Sequence, residues 1–321
     1  MDPKAAYIHV PFCARRCGYC NFTLVAGRDH LVDDYLQALE IEISQVEGRP
    51  QVDTIYLGGG TPSRLPAKSL GYLLKLLDQR FDLAADGEFT IEANPDDLPG
   101  EIESVIGDSR INRISLGVQS FNQDKLKSLD RDHDVAQIES AIKSVREIAE
   151  RFSIDLIFAA PYDSLEIWQD DLTRGIDSGA THVSTYELTY EKGTLFWNRQ
   201  YHGELQPADD ELCAKYYEST IARLALAGFE HYEVSSFARD GHRSQHNQAY
   251  GSGLSYLACG AGASGLIGSV RYTNHRSVSR YLNNVLSGES AMEESQSLSA
   301  RELAVDQLVF GLRMIQGIDL E

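Results

Sequence analysis

Residues 7–22 read YIHVPFCARRCGYCNF. A short apolar run of strand type, YIHV, passes through Pro11 straight into a loop that holds Cys13, Cys17 and Cys20. The chain has 321 residues and only five cysteines, so three of its scarcest reactive side chains sit on one turn. An odd number with three crowded together is not a disulfide framework; it points to metal or catalytic chemistry. The spacing is C-x3-C-x2-C. Three thiolates on one tight loop can hold three irons of a cubic iron–sulfur cluster and leave the fourth iron open. The competing reading is a structural zinc site, which wants four closed ligands, with His9 as the fourth. His9, however, lies inside the strand pattern. Cys213 shares an apolar helix stripe with Tyr216, Tyr217, Thr220, Ile221 and Leu224 and reads as core; Cys259, in YLACGAG, reads as a small buried residue.

Outward from this loop the chain alternates. β-type runs fall at 7–10, 54–57 (TIYL), 89–93 (FTIEA), 112–118 (NRISLGV), 153–158 (SIDLIF) and 183–188 (VSTYEL). Helical spacing links Val32, Tyr35, Leu36, Leu39 and Ile43, and again Ile138, Ala141, Ile142, Val145 and Ile148. Six strand–helix units imply parallel pairing, as a doubly wound open sheet or an incomplete (β/α) barrel. At or just past the strand ends stand Gly58-Gly59-Gly60-Thr61, Glu92, Gln119, Asp155 and Glu187. In a barrel the carboxyl ends of the strands share one face, where sites are built. These residues should therefore converge on the mouth that also carries the cysteine loop.

After residue 190 the pattern changes. A helix is expected over 208–227, a strand in FEHYEVSSFA, a Gly/Ser-rich stretch over 251–265, and helices near 276–286 and 300–314. We divide the chain into a barrel core, 1–190, and a smaller appended α+β portion, 191–321. GAGASG at 260–265 fits GxGxxG but lacks the βαβ context of a dinucleotide site and reads as a tight turn.

Composition narrows the classes. A net charge of −19 argues against broad contact with nucleic acid. No apolar run approaches the length of a membrane span, and the start of the chain lacks a signal-peptide layout, so a cytoplasmic protein is expected.

YIHVPFCARRCGYC resembles the cluster motif of radical S-adenosylmethionine (SAM) enzymes, and its flanks resemble the HemN-like, coproporphyrinogen oxidase-related group. The likeness continues through YLGGGTPS (56–63), IEANPDDL (91–98), RISLGVQSFN (113–122), IDLIFAAP (154–161), TYELTYEKGT (185–194) and YEVSSFARDGHRSQHNQAY (232–250). It implies a partial (β/α)6 radical SAM barrel. It also implies that Cys13, Cys17 and Cys20 ligate a [4Fe–4S] cluster, with Tyr7 and Tyr19 beside the cofactor. Gly59, Gly60 and Thr61 would meet the methionine amino group; Glu92, Gln119, Arg131 and Asp155 match further SAM contacts. One electron from such a cluster cleaves SAM to a 5′-deoxyadenosyl radical and methionine. An electron donor of flavodoxin or ferredoxin type is implied.

Within that group two branches differ in class: an oxygen-independent coproporphyrinogen III oxidase, and the HemW-type heme chaperones, which bind heme and pass it to acceptor hemoproteins, respiratory ones among them. The oxidase motif carries a further cysteine two residues after the third; here Asn21 and Phe22 follow Cys20. The first strand begins almost at the start of the chain, without the oxidase's extension. HNQAY (246–250) resembles the chaperones' HNxxYW, which maps a heme ligand to His246. Two departures stand against that pattern, Gly251 for the tryptophan and Ser264 for the histidine of GAHG, and the chain stops where relatives continue. The chaperone is the expectation; the oxidase and another radical SAM reaction on a porphyrin or heme are the alternatives.

Overall fold

The computed structural model describes residues 2–318. Its centre is a run of six parallel strands: β1 (Ala5–Val10), β2 (Gln51–Gly59), β3 (Asp82–Ala93), β4 (Arg113–Gln119), β5 (Arg151–Phe158) and β6 (His182–Glu187), adjacent in that order. Each is followed by helix, as the alternation requires. Helix Val32–Ser44 follows β1 and buries all five residues of its expected stripe. Helix Val135–Ile148 opens on a capping box between Asp134 and Gln137 and buries Ile138, Ala141, Ile142 and Val145.

Along these strands side chains alternate between two faces. One face carries Ile8, Ile55, Leu57, Ile91, Ile114, Leu116, Ile154 and Leu156, all in the apolar core beneath the helices. The other face is polar, and its residues bond across strands. Tyr56 donates to Glu92 (2.7 Å), Ser115 to Asp155 (3.0 Å), and Ser153 meets the His182 ring (2.8 Å). Barrels of this class usually fill their interior with branched aliphatic side chains. Here the concave face is a hydrogen-bonded polar lining, open at the strand ends.

The portion after residue 190 extends this sheet at both edges. On the β6 side, FEHYEVSSFA forms not one strand but a hairpin, β7 (Glu230–Glu233) and β8 (Ser236–Ala238), with β8 antiparallel to β6. On the other side β9 (Tyr256–Cys259) pairs in parallel with β1. Beyond it lie β10 (Ser264–Ile267), β11 (Val270–Asn274) and β12 (Met292–Ser297), all antiparallel. The Gly/Ser-rich stretch 251–265 thus contains one strand and the start of another. Gly260 and Gly262 form the turn between β9 and β10, with φ of 102° and 73°. Helices Asp210–Leu226, Val278–Leu286 and Ala300–Gly311 fall close to the expected ranges. Cys259 is buried; Cys213 is half-buried against the core edge. Among the described residues no helix is long and apolar enough to cross a membrane.

Candidate functional site

The carboxyl ends of β1–β6 open into a cavity of about 730 Å³. Cys13, Cys17 and Cys20 line it, together with Tyr19, Gly59, Gly60, Thr61, Glu92, Gln119, Arg131 and Asp155. The cysteine loop leaves β1 and returns beside its own start: Phe12–Cys13 pairs with Val25–Ala26. Within it the Cys20 amide donates to the Cys17 carbonyl (3.0 Å), and Cys13 Sγ lies 3.5 Å from Thr61 Oγ1. All three thiols are half-buried. Burial pushes the Cys13 thiol up to about 11 and raises Cys20 as well, so thiolate here calls for a cationic partner. Gly18 admits no side chain: a Cβ would lie 2.2 Å from the Phe196 ring and 2.5 Å from Asp130.

The glycine run at the end of β2 packs against this loop. A Cβ on Gly60 would meet the Phe12 carbonyl at 2.8 Å, and one on Gly59, whose φ is 121°, would meet the His9 ring at 2.6 Å. Only backbone fits where β2 crosses the root of the cysteine loop. Opposite stands Arg131, which donates to Asn94 (2.6 Å) and the Gly117 carbonyl (3.1 Å) and lies 3.6 Å from Cys17 Sγ. Its Nε is buried without a partner. Glu92 accepts from Tyr56 and from the Gly59 amide (3.0 Å); burial pushes it up to about 7 against those two bonds. Asp155 is also raised by burial. Gln119 and Asp130 both line the cavity in left-handed backbone, φ 65° and 53°, which concentrates strain at this mouth.

Two expected residues are not among those lining the cavity. Tyr7 lies on the polar face, where its hydroxyl meets His9 Nδ1 (3.0 Å) and its ring stacks on Tyr56. His246 is 1% exposed. Its Nδ1 is 2.7 Å from Thr54 Oγ1, its Nε2 3.0 Å from the Tyr250 hydroxyl, and its ring stacks on Tyr56 at 4.9 Å. Both nitrogens are engaged, so this pose offers none to an iron.

Sequence reasoning did not find Asn94, Ser115, Tyr186 and Arg276 in the lining. Period-2 alternation through RISLGV and VSTYEL would have pointed Ser115 and Tyr186 inward; nothing local marks Arg276, which arrives from the far end of the chain.

The donor set suits a multinuclear cluster better than a lone ion. Among the described residues no three His, Cys, Asp or Glu side chains converge tightly enough to hold a single metal. His9, the one candidate fourth ligand for zinc, spends both ring nitrogens, on Tyr7 and on the Thr23 carbonyl (2.7 Å). A cubic cluster needs each thiolate on a separate iron, and the buried partnerless Nε of Arg131 leaves a cationic donor free for a carboxylate.

Comparison with known proteins agrees with this geometry. The family described as the radical SAM superfamily matches residues 7–173. A heme chaperone HemW of Lactococcus lactis is 38% identical over all of this chain and 84% of its own length. That of Escherichia coli is 37% identical over 83% of this chain and 71% of its own. Among solved structures, the radical SAM enzyme coproporphyrinogen III oxidase (HemN) of Escherichia coli superposes with a TM-score of 0.85 at 25% identity, covering 97% of this chain and 76% of that one.

Proposed function

The chain belongs to the radical SAM superfamily and, within it, to the heme chaperone HemW family, and on that premise we propose that it binds heme and passes it to acceptor hemoproteins from a scaffold that holds a [4Fe–4S] cluster and SAM. The observation that carries the cofactor part is the convergence of three thiols, a side-chain-free glycine run and an underused guanidinium on one cavity. Cys13, Cys17 and Cys20 would hold three irons. Bound together, cluster and SAM supply one-electron reduction of a sulfonium centre. The protein's own part is placement. Thr61 and the glycine run would accept from the methionine ammonium, Arg131 would face its carboxylate, Glu92 and Asp155 would accept from ribose hydroxyls, and Tyr19 and Gln119 would close the sides. An electron carrier such as a flavodoxin or ferredoxin would supply the electron.

Seven carboxyl groups line the cavity against three guanidinium groups, and Arg15 is already paired with Asp132 (2.9 Å). Burial raises two of the seven, Glu92 and Asp155, towards their neutral forms. The remaining acidic groups suit a sulfonium cation. The likeness to heme chaperones along the chain supports the chaperone over the oxidase.

The test is a heme titration of anaerobically reconstituted protein followed by visible spectroscopy, beside a coproporphyrinogen III turnover assay with SAM and reductant. Stoichiometric heme with no decarboxylated product is the expected result; product without stable heme would make it an oxidase. His246→Ala goes through the same titration. With its ring pinned between Thr54 and Tyr250, heme binding should survive; its loss would assign the iron to this histidine.

A further inference from the structure

Residues 20–24, from Cys20 to Leu24, form no helix or strand, yet each of their five carbonyls accepts from a side chain. Arg16 supplies three of these bonds. One terminal nitrogen donates to the carbonyls of Cys20 and Phe22, both at 3.2 Å, and the other to that of Leu24 at 3.1 Å. His9 Nε2 donates to Thr23 at 2.7 Å, and Arg276 reaches Asn21 at 3.4 Å. Backbone groups without secondary structure must find other partners, and water would serve at an exposed loop. Here the guanidinium of an exposed arginine lies along the loop and takes that place. The neighbouring Arg15 behaves in the ordinary way, pairing with Asp132. A guanidinium can bridge alternate carbonyls because its donors are fixed in a plane; an ammonium has one nitrogen. Behind Thr23 stands Gly262, where a Cβ would lie 2.3 Å from the threonine hydroxyl. The glycine turn that resembles a dinucleotide motif is thus a seat for the cysteine loop.

We infer that Arg16, assisted by His9 and Arg276, is a positioning residue that fixes Cys20 and so sets how firmly the loop keeps its iron–sulfur cluster. The inference rests on the reading of this loop as the cluster site. It also makes cluster retention depend on the C-terminal portion, through Arg276 and Gly262.

The test compares the reconstituted full chain with Arg16→Ala, Arg16→Lys and Arg276→Ala, following cluster absorbance under excess chelator and the EPR spectrum of the reduced cluster. Loss of an outer partner of a metal ligand typically costs 10–100-fold in affinity, so Arg16→Ala should lose its cluster roughly tenfold faster, with an altered EPR signal. Arg16→Lys should fall between, and Arg276→Ala should show a smaller change. Matching thermal melts of the cluster-free proteins separate this from a folding defect. If Arg16→Ala does not fold, Arg16→Lys decides. In cluster-free protein, the alkylation rate of Cys20 relative to Cys13 should rise in Arg16→Ala, which reads the positioning without iron. Equal cluster loss and equal alkylation in wild type and variants overturn the inference. A wild-type chain that takes up no iron and sulfide, yet shows the alkylation change, overturns the cluster reading and leaves the positioning standing.

Discussion

Glu92 lies at the boundary between the polar face of the sheet and the cavity, held by the Tyr56 hydroxyl and the Gly59 amide. Burial lifts it from 4.5 to about 7. A carboxyl raised on folding binds more protons in the native than in the unfolded state. Its contribution to stability is fully present below the unfolded value, near 4.5, and is lost as pH rises through about 7. The shift corresponds to about 3 kcal/mol. Cluster-free wild type should therefore lose denaturant resistance between about pH 5 and pH 8 relative to Glu92→Gln, in which this group no longer titrates. Parallel pH profiles for the two proteins would show that Glu92 is not held protonated. The sequence made Glu92, Gln119, Arg131 and Asp155 legible because each stands at or beyond a strand end and matches a motif. Its motifs put Tyr7 at the cofactor and His246 on heme but say nothing about depth: in the structure both lie in the stack on Tyr56, outside the cavity lining.

The end of β4 and the segment that leads from it to β5 carry Gln119, Asp130 and Arg131, and that segment is anchored from beneath. Lys125, 1% exposed, is ion-paired with Asp163 at 2.7 Å and Asp171 at 3.0 Å, and its nitrogen lies 5.0 Å from the centre of the Trp168 ring. Asp171 also accepts from Ser120 and the Phe121 amide. These bonds tie helix Gln123–Ser128 to helix Leu165–Asp177. Removing the ammonium leaves two buried carboxylates facing each other, so Lys125→Ala should cost about 3–5 kcal/mol in urea denaturation. A loss under 1 kcal/mol would mean that the carboxylates reach water in the native state. The six parallel strands were legible because each is long enough to show its apolar face between helices of clear periodicity. The outer strands were not. β9 and β10 are four residues each, set among glycines, and their stability comes from pairing with β1 and with each other rather than from local pattern.

Whether residues 1–190 form an independent unit is a question about edges. In the 321-residue chain β1 is paired on both sides, by β2 and by β9, and β6 is covered by β8. The join at β1 is more than backbone. Tyr35 donates to the His9 carbonyl (2.7 Å) and accepts from the Ala261 amide (3.0 Å). Glu42, on the same helix, accepts from Tyr281 (2.6 Å), Asn274 (2.6 Å) and the Gly260 amide (2.9 Å). Cutting after residue 190 would strip partners from two strands of the parallel sheet and leave Glu42 without its three donors beside newly exposed core. Edges of that kind pair with other chains. A fragment of residues 1–190 should therefore aggregate or fail to melt cooperatively, while the 321-residue chain melts as one unit. A fragment that is monomeric, melts in a single transition and takes up a stable cluster would show that the six βα units carry the site alone. It would also show that the contacts of Gly262 and Arg276 with the cysteine loop are dispensable. The two outcomes separate a sheet that merely ends in extra strands from one in which the last third of the chain completes the cofactor loop.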